Sequence, residues 1–156
     1  MASIYRQAEL VILYVGSSTY ETDLLLGPLD RLHKLARKEA YNKWTAEDKR
    51  WNEIWSLIVP DCHLYAEYTK GLKQILERSW FKRVWILQEC AHATRAVIAC
   101  GRKYVAARIF AIAPLLIGIQ PKPHCQAVLD IVPGSPRESW WSQKEIFYPP
   151  AKVSRK

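Results

Sequence analysis

The sequence predicts an α/β fold, with an incomplete sheet, a predominantly helical insert and an irregular Pro-rich tail. Three observations predict it. Leu10-Val11-Ile12-Leu13-Tyr14-Val15 is an apolar run without polar alternation that ends at Gly16-Ser17-Ser18, as expected of a strand buried on both faces beneath helices. Leu, Ile and Trp then recur at helical spacing between Asp23 and Glu77. A second strand-like run, Arg95 to Cys100, follows only after that long interval. Two strands so far apart do not form an independent sheet. The chain is therefore expected to hold the C-terminal portion of a larger domain, with N-terminal strands missing.

Each element has its own signals. Ile4 to Ala8 reads as the last turns of a helix leading into the first strand. Asp23 to Arg37 is amphipathic through Leu25, Leu29, Leu32 and Ala36, with Gly27-Pro28 disturbing its start. Trp44 leads into a second helix, where Thr45 and Asp48 resemble a capping box with Asp in place of Glu. Trp51, Ile54, Trp55 and Ile58 line one face before Pro60 ends it. A third helix is expected from Asp61 or Cys62 to Glu77, using Leu64, Tyr68, Leu72 and Ile75. Ser79 is the expected N-cap of a fourth, Trp80 to Ala93. Arg95 to Cys100 reads as a strand closed by Gly101-Arg102, with Tyr104-Val105 pairing back as a hairpin. A last helix spans Ala106 to Ile117. Beyond Gln120 the prolines at 121, 123, 133, 136, 149 and 150 interrupt any periodic pattern. The division expected is a domain over 1–119 and a basic, loosely ordered tail over 120–156.

Composition narrows the class. At 156 residues, 49% apolar and 24% charged, the chain is one domain of ordinary soluble character. The net charge of +8 is scattered among Asp and Glu, and no groove-reading module accompanies it, so a nucleic-acid partner is not expected. The most apolar stretch, Ile109 to Ile119, is short and contains Pro114, so no membrane span is expected and a cytoplasmic location is. Cys62, Cys90, Cys100 and Cys125 include no CxxC pair; Cys90, His92 and Cys100 with His124-Cys125 fit no standard zinc spacing. Buried free thiols and no metal are expected.

Two segments carry a family resemblance. The first is Met1, Ile4-Tyr5, Ala8 and Val11 followed by Tyr14-Val15-Gly16; the second is Trp80-Phe81-x-Arg83-Val84-Trp85-x-x-Gln88-Glu89-x-Ala91, with Cys100-Gly101 after it. Together they resemble the heterokaryon-incompatibility (HET) domain of filamentous fungi, with Tyr14-Val15 where that family usually has Trp-Leu. The resemblance covers about Met1 to Phe110. It lacks the family's upstream Leu-Ser-Tyr-x-Trp-Gly strand and Trp-Ile-Asp segment.

The resemblance implies a role in self/non-self recognition and cell-death signalling, with protein partners and self-association. It also implies a distant likeness to TIR domains, hence a TIR-like, flavodoxin-like sheet. Some TIR domains cleave NAD with a Glu four residues after a Trp, the spacing of Trp85 and Glu89 here. Residues four apart share a helix face, so Trp85 could wall a pocket into which Glu89 points. A carboxylate there would stabilise the oxocarbenium-like centre formed as the nicotinamide–ribose bond breaks. Arg83 and Ser17 are the candidate NAD-binding groups, the first for phosphate, the second on a ligand loop after the strand. Each residue has a structural reading beside this one: Glu89 as a helix-surface carboxylate, Trp85 as core, Arg83 in an ion pair, Ser17 in a turn. Gln88 and His92 read as local hydrogen-bonding and helix-end residues. The fragment is expected to be inactive alone. The rival readings are a non-enzymatic interaction module and a basic nucleic-acid binder.

Overall fold

The computed structural model describes residues 10–39, 41–59, 62–83 and 95–132. Strand β1 (Val11–Gly16) leads into helices α1 (Tyr20–Arg37), α2 (Lys49–Ile58) and α3 (Tyr65–Leu76). Strands β2 (Ala96–Cys100) and β3 (Lys103–Ala106) follow, then helices α4 (Ala107–Ile117) and α5 (Pro123–Ile131). The strands form a three-stranded sheet in the order β1-β2-β3. β1 and β2 are parallel, with Val11 opposite Ala96 and Leu13 opposite Ile98. β2 and β3 are antiparallel, with Ile98 opposite Val105. The α/β class with a small sheet holds, as does the hairpin across Gly101-Arg102.

Among the described residues, the large buried side chains of the sheet lie on one face. Leu13, Val15, Ile98, Cys100 and Val105 are buried, against α1 and α4. The opposite face exposes Ile12 (63%), Tyr14 (55%) and Tyr104 (64%). β1 is thus not a strand buried on both faces. Its apolar run is real, but side chains alternate across a strand, and the described elements cover one side.

α1 starts earlier than its periodicity suggests. Thr19 is the N-cap, and the helix runs on through Pro28. Leu25, Leu26, Leu29, Leu32 and Ala36 are its buried stripe. α3 crosses the start of α1 at Gly71, where an added Cβ would run into the Glu21 carbonyl oxygen. Glycine is required there for close approach of two backbones.

Around α2 the chain builds an aromatic cluster. Trp51 is buried, its indole N–H donating to the Thr45 carbonyl at 2.9 Å. Trp44 packs edge-on against it at 4.9 Å and Tyr41 lies 5.3 Å away. From α4, buried Arg108 stacks 4.7 Å over the Tyr41 ring and donates to the Trp44 carbonyl at 2.7 Å. This ties the 41–44 segment, which leads into α2, to α4.

The expected Thr45–Asp48 box does not form, because Asp48 itself is the N-cap of α2 and accepts from the Arg50 backbone N–H at 2.9 Å. The Arg50 side chain on the same carboxylate holds its pKa down at about 2, against 3.8 ordinarily. A carboxyl with a lowered folded-state pKa stabilises the fold above its unfolded pKa and loses that contribution as pH falls towards the folded value. The urea midpoint of Asp48→Asn, which keeps a good cap, should therefore trail the parent at neutral pH and converge with it between about pH 4 and pH 2. A gap that persists at the acid end would refute the assignment.

The helix expected from Trp80 to Ala93 does not begin at Trp80. Ser79–Lys82 is a 3-10 turn, Arg78 and not Ser79 is its N-cap, and Arg83 is extended with ψ 125°. An extended residue cannot continue a helix; residues 84–94 lie outside the described ones. Within the segment read as loosely ordered, Pro123 stands at the start of α5 instead of interrupting structure, as suits a residue without N–H and with helical φ. Cys125, Val128 and Leu129 bury α5 against α4 and the 79–82 turn. No helix among the described residues is long and apolar enough to cross a membrane.

Candidate functional site

In an α/β sheet, ligand loops follow the carboxyl ends of the parallel strands. Ser17 is there, directly after β1, and Ser17 and Ser18 are exposed. Their loop is anchored from three sides. The Gly101 N–H donates to the Gly16 carbonyl at 2.8 Å. The Cys100 thiol donates to the Ser17 carbonyl at 3.5 Å. Arg78, at the end of the helical insert, donates to the Val15 carbonyl at 3.4 Å. Gly16 has φ +125°, and a Cβ on it would meet the Arg78 guanidinium. Glycine thus lets that cation lie across the strand end.

The start of α1 faces the same loop, but the Thr19 and Thr22 N–H groups are engaged there. Thr19 Oγ1 accepts from the Thr22 N–H at 3.2 Å, and Thr22 Oγ1 accepts from the Thr19 N–H at 2.7 Å. The Thr19 hydroxyl donates to Gln74 Oε1 on α3 at 2.6 Å, and the Gln74 amide donates to Glu21 at 3.3 Å. Glu21 is held below the usual carboxylate range, first by its own backbone N–H, then by Gln74 and by Lys70, whose Nζ is 3.7 Å away. A reciprocal cap of this kind occupies backbone donors that would otherwise be offered to an anion. Among the described residues, what remains at the strand end is the Ser17 and Ser18 hydroxyls and the Arg78 guanidinium. These can bind oxyanions, but they contain no acid–base pair.

Of the residues singled out from sequence, Ser17 occupies the strand end and Arg83 leaves the 79–82 turn, exposed and extended. Trp85, Glu89, Gln88 and His92 lie outside the described residues, as do Cys90 and the 133–156 part of the tail. Cys100 and Cys125 are buried free thiols, and no group of three or more metal-ligating side chains occurs among the described residues. Sequence reasoning missed Arg78 and the Thr19–Thr22 box. The Thr-x-x-Thr spacing was a readable signal. Arg78 had none, because its contact with Val15 spans 63 positions.

Two clefts are lined by described residues. One, of about 130 Å³, lies between α4 and α5 beside Ala46, Leu115 and Asp130. The other, of about 200 Å³, lies between the end of α3, the 79–82 turn and the start of α5.

Comparison with known proteins places these elements in a family. The family described as "Heterokaryon incompatibility protein (HET)" matches residues 1–89. The chain is similar to heterokaryon incompatibility protein 6, OR allele, of Neurospora crassa, at 23% identity over 124 residues. That similarity covers 70% of this chain but only 18% of the relative's length. No solved structure matches. The matched stretch includes β1 with its Ser17 loop, the whole helical insert and the turn carrying Trp80 and Phe81, and on that ground the chain belongs to the heterokaryon incompatibility (HET) family.

Proposed function

We propose that this chain is part of a heterokaryon-incompatibility regulator, a cytoplasmic module of self/non-self recognition that promotes cell death through association with protein partners. The family match over residues 1–89 carries the reading. Within it, the ancestry is TIR-like, and an NAD-cleaving pocket survives only in part. Glu89 is the former catalytic carboxylate, Trp85 a former pocket wall, and Arg83 and Ser17 former cofactor contacts. In support, the Trp85–Glu89 spacing suits one helix face, and Ser17 follows Gly16, against which the Arg78 guanidinium lies, at the carboxyl end of a parallel strand. The closed cap of α1 favours association over catalysis, since a pyrophosphate would find the Thr22 N–H already taken.

One experiment separates the two levels. The chain is produced in one of two otherwise compatible fungal strains, heterokaryon growth is scored, and cellular NAD is measured, with Glu89→Ala in parallel. Restricted growth is expected, equal in both versions, with NAD unchanged. Unrestricted growth in all pairings removes the incompatibility role. Restriction with falling NAD, both abolished by Glu89→Ala, overturns the inactive assignment.

A further inference from the structure

The cleft at the end of α3 has a chemistry of its own. Its floor is apolar and closed: Leu76 and Cys125 are buried, and the Cys125 thiol donates to the Leu76 carbonyl at 3.1 Å. Burial pushes that thiol's pKa up, while Lys122 and Lys82 pull it down and Glu77 adds to the rise. Glu77, Lys82 and Lys122, from three segments of the chain, line the cleft above this floor. Lys73, in the last turn of α3, lines the cleft beside Glu77.

None of Lys73, Lys82 and Lys122 is in an ion pair among the described residues, although Glu77 lines the same cleft. The start of α5 adds to the positive field. Lys122 is its N-cap, no side chain caps it, Pro123 follows and no acidic residue stands in its first turn, so the positive end of the helix dipole opens into the cleft. Among the described lining residues, three lysines less one glutamate leave two positive charges over an apolar floor.

We propose that this cleft binds a small phosphate monoester, its phosphate among Lys73, Lys82 and Lys122 and its carbon part on the Leu76–Cys125 floor. A phosphate monoester carries about −1.5 to −2 charges at neutral pH, which balances the surplus. At about 200 Å³ the cleft is too small for a dinucleotide. The site is separate from the Ser17 loop and does not depend on the incompatibility reading.

The test is a titration of the full, 15N-labelled chain with glycerol 3-phosphate, followed through the amide signals of Lys82, Cys125 and Gln126. Saturable shifts are expected, with a midpoint on the order of 1 mM. Lys82→Ala combined with Lys122→Ala should raise the midpoint about tenfold, and Glu77→Gln should lower it about threefold, because each changes one charge at close range. Lys34→Ala, on the surface of α1 beside Asp30, should leave it unchanged. The Glu77→Gln gain cannot arise from misfolding. Shifts matched by sodium chloride at equal ionic strength, or a midpoint indifferent to Glu77 and the lysines, overturn the proposal. An identical midpoint for inorganic phosphate overturns the monoester assignment.

Discussion

Gly71→Ala is expected to destabilise the chain by about 2–3 kcal/mol, as overpacking against an unyielding neighbour does. The neighbour is backbone: the new methyl would collide with the Glu21 carbonyl in the first turn of α1. Neither helix can give way cheaply. Beside the contact, Thr19 and Glu21 are tied to Gln74 on α3, and Leu72 and Ile75 are fully buried. On helix propensity alone, alanine should stabilise α3 by about 1 kcal/mol, so the two effects have opposite signs. Urea unfolding followed by circular dichroism decides between them. A stability equal to or above the parent would mean that α1 and α3 do not cross at this distance. A loss accompanied by weaker protection of the Thr22 amide from hydrogen exchange would tie the damage to the α1 cap.

Trp51→Ala should cost more, about 4 kcal/mol, the range for emptying a buried large aromatic site. Trp51 is 1% exposed, and its removal affects more than its own volume. The Thr45 carbonyl loses its indole donor, and Trp44 and Tyr41 lose the ring they pack on. Tyr41 is also the ring under Arg108, whose guanidinium anchors α4 to the Trp44 carbonyl. Trp51→Phe keeps a ring but not the hydrogen bond, and should cost roughly 1–2 kcal/mol. The pair of variants therefore separates packing from polar satisfaction. Equal losses for both, or a loss below about 1 kcal/mol for Trp51→Ala, would show that the cluster is not the clamp between insert and sheet layer.

The helical insert was legible because its signals are local. Trp51 and Trp55 stand at helical spacing, and Tyr68, Leu72 and Ile75 do the same one helix later; both sets are buried where the pattern put them. The hairpin was equally plain, since Gly101 with φ +62° is the left-handed residue that a tight turn needs. Caps are less legible, since several polar residues near a helix start satisfy the same pattern: Thr45 stands three residues before the true cap Asp48, and Thr19 lies ahead of the periodic stripe. The turn at Ser79–Lys82 defeated helical reading because Trp80 and Phe81, adjacent in sequence, are both buried with ring centroids 4.8 Å apart.

The candidate site was legible only as to Ser17, a residue that follows a strand whatever the tertiary arrangement. The Arg78 bond across the strand end and the gathering of three lysines around one cleft bring distant segments together, which no local pattern encodes. Family membership, helix positions and the hairpin are consequences of motif and periodicity, each confined to a few neighbouring residues. Which face of β1 is covered, how closely α3 approaches α1 and where positive charge gathers are consequences of packing. They depend on burial and backbone distance between parts of the chain that meet only once it has folded.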